Sequence, residues 1–184
     1  WMAKQFPPAS EVIEFWFADA LQSLEQLRAR MTFWFATSSQ IDDEIRRRFG
    51  HLPDILLNNG GIGGGRVDDH QMLLANVLVL DQFPRNIYRG QAQAFSYDAV
   101  GLKLAKIAIN SGALDKVHPV HARFLVMPYE HSESIQDQDE GVKLCEYLHQ
   151  IAPIHLQQQF EHFIKYAKIH REIIKKFGRF PHRN

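Results

Sequence analysis

Three short stretches of this 184-residue sequence concentrate the side chains able to hold or move charge. LDQFPRNIYRG, residues 80–90, carries Asp81, Arg85, Asn86 and Arg89. YEHSE, residues 129–133, carries Glu130, His131 and Glu133. HREIIKKFGRFPHRN, residues 170–184, carries His170, Arg171, Arg179, His182, Arg183 and Asn184. An arginine guanidinium is a planar fork of N–H donors that matches a carboxylate or a phosphate. Histidine gives or takes a proton near neutral pH.

Two functions from different classes suit these groups. In a binding module, Arg85, Arg89, Arg171, Arg179 and Arg183 grip an anionic small molecule or peptide. His170 and His182 stand beside them, and Asn86 and Asn184 orient the ligand through amide hydrogen bonds. In a hydrolase or transferase, His131 is the general acid or base, with Glu133 or Asp81 orienting its ring. The arginines then hold an anionic substrate and stabilise developing charge. A third reading is structural. Asp81 caps and pairs with Arg85 or Arg179, the arginines are buried in ion pairs, and no cleft opens.

The elements that position these groups read as helices almost throughout. Ser10 is placed as an N-cap before Val12, Ile13, Trp16 and Phe17, and Ser38 or Ser39 caps a helical segment whose apolar positions Ile41, Ile45, Phe49, Leu52 and Leu56 run on to NNGGIGGG at 58–65. Leu24–Phe35 carries a helical pattern that ends in an aromatic run. Trp16, Phe17, Trp34 and Phe35 are assigned to the core. Asp68 or Asp69 starts a helix through Leu80, stopped before Pro84. Ser96 or Asp98 opens another, closed by Gly112. Pro119 opens a short helix to about Met127, Ser132 or Ser134 opens one to His149, and Pro153 opens a long one through Phe177 with Gly178 as its stop. No segment alternates with period two long enough to make a strand. The expected fold is a single all-α domain over residues 1–184, built of antiparallel helix pairs as a tetratricopeptide-repeat-like array or an irregular bundle. Pro84, Pro128 and Pro181 each stop or bend the chain beside a charged group. Each Phe-Pro is expected to end a helix against the core. The basic residue and asparagine that follow would face one shared cavity.

Other features narrow the function. Lys plus Arg is 21 and Asp plus Glu is 21, so no bulk basic field exists to hold a nucleic-acid backbone. The longest apolar run, Met72–Leu80, is too short to cross a bilayer. No signal-peptide pattern precedes the first helix, and Cys145 is the lone cysteine, among helical apolar positions. A reducing cytoplasm and a buried, inert thiol fit that usage. The glycine run GGIGGG at 60–65 lacks the lysine and hydroxyl of a phosphate loop and follows a helix, so it reads as a flexible connector. Ten histidines include no H-E-x-x-H and have no cysteine partners. No dedicated metal site or cofactor is expected. A weak site using His131, Glu130 or Glu133 stays open.

LDQFPRNIYRG, FLVMPYEHSE and HREIIKKFGRFPHRN, in that order, resemble a bacterial family of uncharacterised proteins, domain of unknown function family 924. VIEFWF at 12–17 resembles that family's first helix. The resemblance covers nearly the whole chain and implies an all-α, tetratricopeptide-like fold, with no established activity. It departs at Pro128-Tyr129-Glu130-His131, where the family more often reads Pro-Leu-Met-His, which adds a carboxylate beside the histidine. It departs also at the glycine run, and at Asn184, beyond which family members often continue. Arrays of this kind more often recognise than catalyse, which favours the binding module.

Overall fold

A computed structural model describes residues 6–60 and 69–183. The fold is all-α, and the described residues contain no strand. The helices are α1 (Ala9–Phe17), α2 (Leu24–Phe35), α3 (Ser39–Phe49), α4 (Leu52–Asn58), α5 (His70–Val77), α6 (Phe83–Ile87), α7 (Asp98–Asn110), α8 (Pro119–His131), α9 (Ile135–Ile151) and α10 (Ile154–Phe177). Single 3₁₀ turns lie at Ala92–Phe95, Ala113–Asp115 and Pro181–Arg183. GGIGGG, read as a connector, lies outside the described residues apart from Gly60. Among the described residues no helix is long and apolar enough to cross a membrane.

Local chemistry explains most boundaries. The hydroxyls of Ser23, Ser38 and Ser134 accept from N–H groups at the starts of α2, α3 and α9, and Asp69 does the same for α5. Gly178 ends α10 at φ 68°, a left-handed conformation that a side chain resists. Ser10 is not a cap: α1 starts at Ala9 behind Pro8, with no side-chain cap.

The prolines do not act as expected. The helix from Asp69 does not stop before Pro84. It runs on through a π turn, Leu78–Gln82, into α6. There the Phe83 N–H bonds the Leu78 carbonyl, five residues back instead of four. The wide turn lies where an α-helix would suffer from the proline's missing N–H and its ring clash. Pro128 likewise lies inside α8, which continues to His131 rather than ending near Met127.

Packing follows from these elements. α8, α9 and α10 stack in succession, while α5 is covered by α1 and α7. Phe83 is fully buried, with ring centroids 5.5 Å from Trp16 and 5.1 Å from Phe49. It locks the start of α6 into the core, and truncation to alanine would cost about 3–5 kcal/mol. Phe35, assigned to the core by sequence, is 49 % exposed at the end of α2. Gly101 on α7 sits where an added Cβ would lie 3.7 Å from the Asp81 Cβ, so α7 closes directly over the π turn. Gly141 plays the same part for α9, 3.1 Å from the Tyr129 Cβ.

Candidate functional site

α6 and the turn after it, the end of α8, the last third of α10 and the two 3₁₀ turns at 92–95 and 181–183 converge on one cavity of about 330 Å³. Arg85 and Arg89 reach it from the run after the π turn, and His131 from the last residue of α8. His170 comes from α10, and His182 and Arg183 from the closing turn. Phe95 and Phe180 supply apolar wall.

Behind His131 lies Asp81, with no solvent exposure. Its Oδ1 is 2.7 Å from His131 Nδ1, and its Oδ2 accepts from Gln82 Nε2 at 2.6 Å. Burial alone would raise the Asp81 carboxyl. The charges of Arg85 and His131, with hydrogen bonds from His131 and Gln82, reverse that and hold it well below the usual carboxylate range. An ionised carboxylate only accepts, so His131 Nδ1 carries the hydrogen. In the neutral ring Nε2 is then the basic nitrogen.

Each arginine of the cavity is fastened from behind. Arg85 donates to both oxygens of Asp98, at 2.8 and 2.9 Å, and also to the Asp81 backbone carbonyl. Burial disfavours its charge, but Asp81 and Asp98 outweigh burial and raise its pKa. Arg183 lies 3.3 Å from the same Asp98, with its guanidinium 4.6 and 4.5 Å from the Phe95 and Phe180 ring centroids. That is a cation–π position between two rings. Arg89 Nε and Nη2 donate to the two oxygens of Asp42 at 2.7 and 2.8 Å. Asp42, Asp81 and Asp98 are absent from the cavity lining, which presents cationic and imidazole side chains and aromatic wall.

Several sequence candidates lie elsewhere. Asn86 is buried and donates to Asp42 Oδ1 at 2.9 Å, so it steadies the partner of Arg89 without lining the cavity. Glu133 is not the orienting partner of His131. Its Oε1 accepts the Phe180 N–H at 2.9 Å and pins the closing turn against the start of α9. Arg171 turns to the outer face, where it pairs with Asp139 and Glu172. Arg179 is exposed and outside the lining, and Asn184 lies outside the described residues. Glu130, the extra carboxylate beside His131, faces away and is bound by both terminal nitrogens of Arg123. With Glu130 and Glu133 so engaged, the weak metal site left open by sequence does not form. Among the described residues no group of three or more His, Cys, Asp or Glu is placed to hold a metal.

Sequence reasoning missed Asp98, Asp42 and Phe95. Asp98 was visible as an acidic residue at a helix start, where it suits the helix dipole. Nothing local says that a turn at 92–95 swings it onto Arg85. Sequence did anticipate structural ion pairs at the motif arginines, and these are present. The structural reading also required that no cleft open, and a cleft is present.

The fold and site together define an all-α protein whose helix ends enclose an arginine- and histidine-lined cavity in which His131 is backed by the buried Asp81. Residues 12–184 match the model of the DUF924 family, described as bacterial protein of unknown function, and the chain belongs to that family. A solved structure of a protein of unknown function, ATU0120 from Agrobacterium tumefaciens, is similar, with a TM-score of 0.74 and 27 % identity. The match covers 96 % of this chain and 87 % of that one. No curated protein matches this chain.

Proposed function

We propose that the cavity binds the anionic group, carboxylate or phosphate, of a small molecule or peptide. One observation carries this reading: each carboxylate of the network stands behind an arginine, and none lines the cavity. Aspartates placed this way hold the arginines in fixed orientation, so little side-chain entropy is lost when an anion arrives. The successive packing of α8, α9 and α10 supports reading the frame as tetratricopeptide-like, a layout suited to recognition. A cytoplasmic setting suits the one cysteine, Cys145, which is buried and free.

The test is calorimetry with inorganic phosphate and with short carboxylates, comparing the parent with Arg183→Ala. Arg183 is the right probe because Asp98 keeps Arg85 when Arg183 is removed. Binding at least tenfold weaker in the variant supports the reading. Equal binding, or none by the parent, overturns it.

A second reading rests on the Asp81–His131 pair. An aspartate that fixes the Nδ1–H tautomer of a histidine beside a cationic cavity is the arrangement of a general base or acid in hydrolysis or group transfer. It expects turnover of a phosphate- or carboxylate-ester panel that falls with Asp81→Asn while anion affinity is retained. A panel that is inert to the parent sinks it.

A further inference from the structure

His131 and His170, whose ring centroids are 6.4 Å apart, line a second cavity as well. It measures about 620 Å³, and its character is opposite to the first. Met31 and Phe35 of α2, Met127 of α8, and Phe163 and Tyr166 of α10 form its walls. Its charges cancel: Arg123 and Glu130 bind each other, and both are more than nine-tenths buried. Arg123 Nε is buried with no hydrogen-bond partner among the described residues, which leaves one donor for an acceptor atom brought in from outside. His170 Nδ1 is likewise buried and unpartnered. Phe35 and Tyr166 are 49 % and 60 % exposed on the same lining, large rings that a chain without a ligand gains nothing by presenting to water.

Two cavities of unlike chemistry that share two side chains fit two unlike parts of one molecule. We infer that the ligand is an anionic amphiphile, a carboxylate or phosphate joined to an acyl or aryl group. Its head sits among Arg85, Arg89 and Arg183, and its apolar part sits between α2, α8 and α10. The inference deepens the anion-binding reading and rests on it. Both volumes lie in the span of roughly 300–1,000 Å³ usual for small-molecule sites. Methionine on two walls suits an apolar group of variable shape, because its unbranched side chain repacks readily. An ester or amide oxygen near the head would supply the acceptor that Arg123 Nε lacks.

The experiment is a calorimetric series on the intact chain with one head and growing tails: inorganic phosphate, ethyl, butyl, hexyl and octyl phosphate, with octanol as the uncharged control. Concentrations stay below micelle formation. Each buried methylene is expected to tighten binding roughly fourfold. Thr32→Trp, at an exposed position of α2 that lines the second cavity, should flatten this series and leave phosphate binding unchanged. Ala36→Phe is the second filling variant, and circular dichroism checks that each is folded. Arg183-dependent phosphate binding without a tail effect overturns the amphiphile and leaves the anion reading standing. Octanol binding as tightly as octyl phosphate also overturns the link between the two cavities. No binding of phosphate or of any alkyl phosphate overturns both readings.

Discussion

Neighbouring residues at the end of α8, Glu130 and His131, send their side chains into two different charge networks. Glu130 joins a closed pair. Arg123, two helical turns earlier, gives it both terminal nitrogens, and the Cys145 thiol donates to its Oε1 at 3.3 Å. Burial, then Glu130, push that thiol well above its ordinary pKa, so Cys145 is an inert core group. Gln138 covers the backbone carbonyls of Glu130 and Ser132 at 2.8 and 2.7 Å. His131 joins an open network instead, in which Asp81 and Asp98 serve Arg85, Arg183 and the imidazole itself, and one side is a cavity. Burial of charge is common to both, so burial does not mark a site. What separates them is the face each presents: Arg123 and Glu130 cancel each other's charge beside an apolar cavity, whereas the carboxylates of the open network stay out of the lining and leave Arg85, Arg89 and Arg183 to face the other.

The comparison breaks first at the closed pair. Glu130→Ala leaves the Arg123 charge buried alone and should cost about 3–5 kcal/mol of unfolding free energy, read by urea denaturation. Replacing both partners, Arg123→Met with Glu130→Leu, should recover most of that loss. If the double variant is as unstable as the single one, the pair is not a self-contained unit.

The open network loses less when the charge of its buried carboxylate is removed, and it shows a pH signature. Asp81→Asn should cost about 1–3 kcal/mol, because the buried Nδ1–H of His131 then faces an amide. A carboxyl with a depressed pKa binds fewer protons folded than unfolded. Its stabilisation is therefore complete above the unfolded value of about 3.9 and is lost as pH falls below it. The parent should lose stability with acid below about pH 4 more steeply than Asp81→Asn. Parallel acid limbs for the two proteins would show that Asp81 is not held ionised.

Smaller effects sharpen the contrast. Gly141→Ala pushes a methyl to 3.1 Å from the Tyr129 Cβ and should cost about 1 kcal/mol, the low end for overpacking. Because α9 then moves off Glu130, phosphate binding by the open network should be unaffected. Arg171→Ala removes an exposed pair with Asp139 and should change neither melting nor phosphate binding. A loss of binding there would enlarge the site to the outer face of α10.

The fold was legible because its signals are local. Serine and aspartate caps, glycine stops and helical spacing of apolar residues are each written within a few positions, as at Ser38, Asp69 and Gly178. The site was legible in part. His131, Arg85, Arg89, His170, His182 and Arg183 share a cavity because three helix ends meet, and their polar residues were conspicuous beside prolines. Asn86, Glu133 and Arg171 looked the same in sequence and point elsewhere. A one-residue change of helix phase, or a carboxylate forty residues away, decides direction, and neither leaves a local trace. Asp42 holds Asn86 across 44 positions, and Glu133 holds Phe180 across 47. The prolines misled for a related reason. Proline forbids one hydrogen bond, and the wide turn ahead of Pro84 shows that a helix can reroute around it.

That wide turn also works as a phase shifter. An α-helix advances about 100° per residue, following its 3.6-residue turn. The extra residue absorbed between Leu78 and Gln82 therefore rotates everything after it relative to α5. Before the turn, Leu73, Leu74 and Val77 address the core; after it, Arg85 and Arg89 address the cavity. Deleting Val79 would keep every charged group in the chain and aim the two arginines somewhere else. The bearing of the site is thus set by a count of residues as much as by their kinds.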